Sequence, residues 1–323
     1  ETAPVISNCP ADIVFPPGSQ SCQASVTWDS PTATDDCQLD TLITTHQSGS
    51  LFSSAVNPVT YTATDAAGNT ANCVFNVIFE SSTLVVTNTN DSGAGSLRFT
   101  VENACPGDTV TFDPSLDGDT IPIGVEIYVS VALVIDATNL NELTLDGTFD
   151  HMHFEVDPGD FDVTIKGLTM INGSESPHAG SIKNRANLTL EQCIIRNNEC
   201  DSEGGAIYSE FGDLTIIDCV IDSNNCFGIG GGIYFYDGSL IIKNSTISNN
   251  SAGWGGGIQI DGQTDSFYVE NSTISGNTSQ EGGGFSLYDT RGYFVNTTVT
   301  QNHADDGGGF YIDGGAEIHI VNT

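Results

Sequence analysis

The chain has 323 residues, with 42 Asp and Glu against 7 Lys and Arg and a formal net charge of −35. So few cations cannot supply the basic footprint that releases counterions from nucleic acid or holds anionic lipid, and no run of about 18 apolar residues offers a bilayer span. Hydrophobic residues make up 38%, enough for a core, and the length suits roughly two domains.

The chain opens at Glu1-Thr2-Ala3-Pro4 with no initiator Met, which reads as a processed protein or a piece of a longer one. Residues 1–80 hold short alternating runs, Ala24-Ser25-Val26-Thr27-Trp28, Val59-Thr60-Tyr61-Thr62-Ala63-Thr64 and Cys73-Val74-Phe75-Asn76-Val77, with turn signals between them. This grammar predicts a β-sandwich. Its four cysteines, Cys9, Cys22, Cys37 and Cys73, read as an extracellular disulfide framework. Of three connectivities, the expected one joins two loops at one end through Cys37–Cys73, leaving Cys9–Cys22. Cys105 has no evident partner. Asp35, Asp36, Asp65 and Asn69 form acidic loops whose hard oxygens would suit Ca²⁺, or serve as ordinary turn residues.

The landmark order in this segment resembles the hyalin-repeat (HYR) family. It runs from Pro4-Val5-Ile6 and Cys9-Pro10 through Val26-Thr27-Trp28 and Thr34-Asp35-Asp36-Cys37. Tyr61-Thr62-Ala63-Thr64-Asp65-Ala66-Ala67-Gly68-Asn69 and Cys73-Val74-Phe75 complete it. The resemblance implies an extracellular immunoglobulin-like module associated with adhesion and no catalysis.

Residues 81–323 follow another rule, a repeat. An apolar residue recurs at Met170, Ile195, Ile221, Ile247, Ile274 and Val299, at spacings of 25, 26, 26, 27 and 25. Three positions later stand Gly173, Asn198, Asn224, Asn250, Asn277 and Asn302. Two further apolar columns run through Leu190, Ile216, Ile242, Val269 and Phe294, and through Ile207, Ile233, Ile258, Phe285 and Phe310. This pattern predicts coils of three short strands, each pairing with its counterpart about 4.8 Å away along the axis. The asparagines would form an amide ladder inside a corner, and the glycine clusters a bend closed to any Cβ. Neither a leucine-rich nor a helical repeat fits. The expected fold class is therefore all-β: the N-terminal sandwich plus a right-handed parallel β-helix, a β-solenoid, with regular coils from about 168.

Ser96 should N-cap a short amphipathic helix to about Ala104, with Leu97 and Val101 on one face, inside a cap region of about 84–108. This stretch and the repeat unit resemble the β-helices of bacterial surface proteins, including polymorphic outer-membrane proteins. Ile318–Val321 reads as an ordinary strand with no cap after it, so the chain is expected to continue past Thr323.

Cys193 and Cys219 share one coil position and Cys200 and Cys226 another, so inter-coil disulfides and buried free thiols both remain open. Tyr208, Tyr234, Tyr236, Tyr288 and Tyr311 would face outward beside Glu210, Asp261 and Asp313. They form a glycan-binding candidate or merely a cross-strand aromatic ladder. His151 and His153 read as exposed strand residues.

Many β-helices cleave polysaccharides, so an enzyme is one reading. Uronate lyases need cations to stabilise the carboxylate, and here only Lys183 and Arg185 cluster. The repeats are uniform, with short turns and no long loops to wall a cleft. The leading expectation is a structural or adhesive segment of an extracellular surface protein, with no catalytic residue and no cofactor unless Ca²⁺. Its expected partners are neighbouring domains of its own chain and surface polysaccharide or host glycans. The family resemblances imply an adhesin of the Bacteroidota type exported by a type IX system. Asp40-Thr41-Leu42, Asp108-Thr109-Val110 and Asp119-Thr120-Ile121 resemble the O-glycosylation motif of that phylum, with Thr41, Thr109 and Thr120 as acceptors. The alternatives are a polysaccharide-degrading enzyme and a self-assembling fibre protein.

Overall fold

The computed structural model describes residues 2–16, 22–53, 56–262 and 266–322; Thr323 lies outside them. The chain forms two units, 1–82 with 105–108, and 83–104 with 109–323.

The first unit is β-rich. Its main sheet orders Ile13–Phe15, Thr70–Phe79, Val56–Asp65 and Leu39–Thr44, and two small antiparallel pairs join Val5–Ser7 to Thr32–Thr34 and Ala24–Ser25 to Leu51–Phe52. Period-2 alternation sends Val59, Tyr61, Phe75 and Val77 inward, each no more than 4% exposed. Trp28 closes the core: its Nε1 donates to the Tyr61 hydroxyl at 2.9 Å and its ring meets Phe75 edge-on.

The disulfides here differ from the expected pairing. They are Cys9–Cys73 and Cys22–Cys105, with Cα separations of 5.7 and 5.0 Å. Cys73 lies inside a strand and faces the core, within reach of Cys9 just after the first strand. Cys37 is instead exposed and unbridged, in a turn where the Asp35 carboxylate accepts from the Cys37 and Gln38 amides. Cys105 follows the sequence boundary at 80, yet residues 105–108 pack with the first unit, where Asp108 accepts from the Ser82 and Cys105 amides.

The second unit is a parallel β-solenoid of three faces, A, B and C in chain order along each coil, with ten, eight and eight strands among the described residues. Face A stacks Ile135, Ile165, Leu190, Ile216, Ile242, Val269 and Phe294 in register. Face B stacks Leu145, Met170, Ile195, Ile221, Ile247, Ile274 and Val299. Face C stacks Ile127, Phe154, Ile182, Ile207, Ile233, Ile258, Phe285 and Phe310. The columns begin two coils before residue 168, where the sequence is irregular but the inward residues stay apolar. A helix spans Leu97–Glu102. Ser96 Oγ accepts from the Phe99 amide at its N-cap, and Leu97 and Val101 join the solenoid core.

Two of the corners in each coil carry ladders. Between faces B and C, Asn224 Nδ2 donates to Asn250 Oδ1 at 2.9 Å and to the Ile195 carbonyl at 3.0 Å, while the Asn224 amide also reaches Asn250 Oδ1. The pattern repeats from Asn198 to Asn302. The preceding residue adopts positive φ at Asn197, Ser223, Asn249, Gly276 and Gln301. Short polar side chains tolerate that conformation better than β-branched ones.

The corner between faces A and B holds a ladder that the sequence reading missed. The Cys193 amide donates to Cys219 Sγ, the Cys219 amide to Ser245 Oγ, and the Ser245 amide to Ser272 Oγ. Each side chain donates back to the carbonyl two residues earlier. Cys193 and Cys219 thus act as small donor–acceptors in a serine position and form no bridge. Cys200 and Cys226 are also unbridged and buried, with their sulfurs 2.7 Å apart.

His153 caps the asparagine ladder. The expectation of an exposed strand residue is wrong: His153 precedes the strand Phe154–Val156 and is fully buried, while His151 is partly covered. Its Nε2 faces the Leu145 and Ile171 carbonyls and its Nδ1 the Ser181 hydroxyl. Gly173 occupies the ladder position here because a Cβ would stand 2.8 Å from the His153 ring and 2.1 Å from the Gly180 carbonyl. Burial pushes the imidazole down to about 4. The neutral form is the one folded, so its contribution is complete above the unfolded value near 6.5 and is lost as pH falls toward 4. Relative to His153→Gln, wild-type stability should drop by roughly 3 kcal/mol between pH 7 and 4. Urea denaturation of both proteins across that range measures it; a pH-independent difference would show that the ring carries no such linkage.

Candidate functional site

Alternate residues of face C point outward. In register they are Tyr128, Glu155, Lys183, Tyr208, Tyr234, Gln259, Ser286 and Tyr311. A second outward row follows two residues on, through Glu210, Tyr236 and Asp261, with Tyr288 beside Asp313. The glycine-rich corner adds a third row. Ala179, Gly204, Gly230, Gly255, Gly282 and Gly307 take positive φ, and the residues just before them stack as His178, Glu203, Ile229, Trp254, Glu281 and Asp306.

That third row alters the expected tyrosine face. Tyr208 and Tyr234 are only 7% and 8% exposed, packed with Ile229, Met152 and Ala179. Their rings stack at 5.5 Å, and His178 stacks on Tyr208 at 4.7 Å. They are therefore a covered aromatic ladder, and their ring faces are closed to ligands. Burial lifts both phenols well above the ordinary range, helped by Glu210 at Tyr208 and by Asp261 at Tyr234. Tyr236 and Tyr288 are exposed, and Tyr311 is half-buried.

Where the row shrinks to Gln259 and Ser286, a cavity of about 270 Å³ opens. Trp254, Tyr288 and Tyr311 supply its aromatic lining, and Asp261, Glu281 and Asp313 its carboxylates. Burial raises the Asp261 carboxyl against hydrogen bonds from Gln259 and Tyr234. Gln259 Nε2 donates to Asp261 Oδ1 at 2.6 Å. Trp254, Gln259 and Glu281 escaped the sequence reading. The only available signal was their fixed spacing from the glycines.

A second cluster lies at the start of face C. Glu126, His151 and Glu175 come from three successive coils, with ligand atoms within 4.8 Å of one another. Tyr128 donates to Glu126 Oε1 at 2.5 Å, and this bond raises the phenol to about 12. Of these, His151 Nδ1 and Glu126 Oε2 stand 3.9 Å apart. Beside them, Glu155 pairs with both Lys183 and Arg185, so the clustered cations are already neutralised.

The expected Ca²⁺ loops are hydrogen-bonded turns. Asp65 is 3% exposed, and its carboxylate accepts from the Ala67 and Asn69 amides and from Asn69 Nδ2. The Asn69 side-chain bond, the largest influence, and those amides hold its carboxyl below the ordinary range. Both Asp65 oxygens are thus engaged within the loop, with Asn69 acting as donor. Asp35 uses Oδ1 in its turn and Asp36 is exposed. Among the glycosylation candidates, Thr41 and Thr120 are exposed and Thr109 is half-buried.

Among the described residues, no helix is long and apolar enough to cross a membrane. The proteins named "Sushi, von Willebrand factor type A, EGF and pentraxin domain-containing protein 1" of Mus musculus and Rattus norvegicus are each 42% identical over 76 residues. That match spans 23% of this chain and 2% of those relatives. No solved structure matches. The family model "HYR domain" matches residues 1–79, and "Right handed beta helix region" matches residues 157–323. Together the two modules point to an extracellular protein of adhesive or structural type. The chain belongs to the right-handed β-helix family and carries a HYR domain at its N-terminus.

Proposed function

We propose that this chain is a structural and adhesive segment of a cell-surface protein, without catalytic activity. The HYR module serves as spacer and the solenoid as a stiff scaffold that presents face C to glycans. The observation that carries this reading is the outer surface of face C, where Trp254, Tyr288 and Tyr311 stand with carboxylates around one cavity. Flat rings and fixed acceptors on a rigid sheet suit sugar faces and hydroxyls. The uniform coils place that surface on a scaffold that reorganises little on binding. The resemblance of the repeat unit to the β-helices of bacterial surface proteins supports a bacterial adhesin, and the disulfides support an oxidising extracellular setting. Lys166, Lys183, Lys243 and Arg291 each pair with a glutamate, which opposes a lyase that needs cations free for its substrate.

On a glycan array, the wild-type chain is expected to retain a defined set of saccharides, and Trp254→Ala with Tyr288→Ala to weaken that retention by about tenfold or more. The same glycans should release no reducing ends or unsaturated products. Unchanged retention in the double variant would remove the binding face, and product release would replace the adhesive reading by an enzymatic one.

A further inference from the structure

The two buried cysteine pairs of the solenoid each stack across one coil step, and they differ in what their sulfurs do. Cys193 Sγ donates to the Glu191 carbonyl, Cys219 Sγ donates to the Ile217 carbonyl, and the Cys193 amide donates to Cys219 Sγ. These thiols fill places that Ser245 and Ser272 fill in the next two coils, and oxidation would remove both S–H donors from that ladder. Cys200 and Cys226 are placed differently. They pair in register on adjacent parallel strands, 3% and 2% exposed, with their sulfurs 2.7 Å apart. Glu175 stands before them in the column and Ala252 after, since Asn225 pairs with Ser251, so each meets one cysteine there. Unbonded carbon atoms, smaller than sulfur, settle about 3.5–4.0 Å apart, so two thiols held at 2.7 Å repel. A disulfide bond of about 2.05 Å replaces that repulsion by a bond. The spacing of paired strands, about 4.8 Å, falls inside the Cα range that disulfides span.

We propose that Cys200 and Cys226 form a third disulfide in the exported protein, a covalent staple between successive coils, while Cys193 and Cys219 stay thiols. Two S–H bonds break and one S–S bond forms. The two electrons and two protons pass to the disulfide of a thiol–disulfide oxidoreductase in the export compartment, which is left as a dithiol. Both sulfurs are shut off from such an oxidant once the coils have stacked, so the exchange takes place during folding, while this corner is open. The staple fixes the coil step at the root of the glycine-rich corner. Three residues beyond the two cysteines, Glu203 pairs with Ile229, and Ile229 packs over Tyr208 and Tyr234. The inference needs the oxidising extracellular setting and is independent of any glycan bound on face C.

Peptide mapping tests it on the 323-residue chain exported to a bacterial periplasm, purified without reductant, and denatured with iodoacetamide present. Peptides holding Cys200 and Cys226 should emerge joined and come apart on reduction, beside Cys9–Cys73 and Cys22–Cys105. Cys37, Cys193 and Cys219 should carry the alkyl group. Cys200→Ser should raise labelling of Cys226 at least about fivefold. Cys193→Ser, which installs the residue already used at Ser245, should leave the Cys200–Cys226 bridge in place. The wild-type map needs no variant to fold, so the variants only sharpen it. Alkylated Cys200 and Cys226 beside intact Cys9–Cys73 and Cys22–Cys105 bridges overturn the proposal and leave the extracellular reading standing. A Cys193–Cys219 bridge overturns the distinction between the two pairs, and alkylation of all nine cysteines overturns the assigned pairing of the first unit as well.

Discussion

Asn250→Ala should destabilise the solenoid by about 3–5 kcal/mol. Its side chain makes four hydrogen bonds inside the corner: Oδ1 accepts from the Asn224 amide and Asn224 Nδ2, and Nδ2 donates to the Ile221 carbonyl and Asn277 Oδ1. Alanine leaves the Asn224 amide and the Ile221 carbonyl without these partners in a dry site, and each such loss costs about 1–3 kcal/mol. Asn249→Gly provides the control. Asn249 holds a φ of 54°, and the equivalent corner one coil later already uses Gly276 at 67°. That substitution should stay within about 1 kcal/mol of wild type. Urea denaturation supplies the totals. Hydrogen exchange locates the loss in the coils around Asn250, since a repeat array need not unfold in one step. A loss below about 1 kcal/mol for Asn250→Ala would mean that the ladder is incidental to stability.

Removing the Cys9–Cys73 bridge should cost the first unit about 4 kcal/mol. The cross-link closes a loop with a sequence separation of 64, for which chain-entropy reasoning gives roughly that figure. The unit has little to set against it. Its fully buried apolar cluster consists of Val26, Phe52, Val59, Tyr61, Cys73, Phe75 and Val77, so one cysteine is itself part of the core. A small module of this kind depends on its cross-links. Cys9→Ala with Cys73→Ala is expected to be unfolded or nearly so at 37 °C, as read by loss of the near-ultraviolet dichroism of Trp28. By contrast, Cys37→Ser should be neutral, because Cys37 is exposed and unbridged. Equal stability of the two variants would contradict the assigned pairing.

Much of the solenoid is legible in the sequence for a simple reason. Strands in successive coils pair in register, so a residue's stacking partner is the one standing one repeat away. The spacing of Ile195, Ile221 and Ile247 states the contact directly, and the same holds for Asn198 to Asn302. The outer surface follows no such rule. Whether Tyr234 is open or covered depends on how far the row of Ile229 and Trp254 folds over face C, and that is set by backbone torsion at Gly230 and Gly255. Alternation places Tyr234 outward but is silent about what lies above it.

The sequence by itself determined the period, the inward columns, the asparagine corner and the acidic exterior, because each depends on identity at a fixed repeat position. Only the tertiary structure decided the rest. It joined Cys22 to Cys105 across a separation of 83 residues, because chain return is not a periodic property. It buried His153 at the end of the ladder, and it turned Cys193 and Cys219 into hydrogen-bonding members of a serine corner. Finally, it opened the cavity at Gln259, where the outward row shrinks to Gln259 and Ser286 beside the corner residues Trp254 and Glu281. Such a cavity depends on which side chains of two neighbouring rows stand side by side, and no single repeat position announces that.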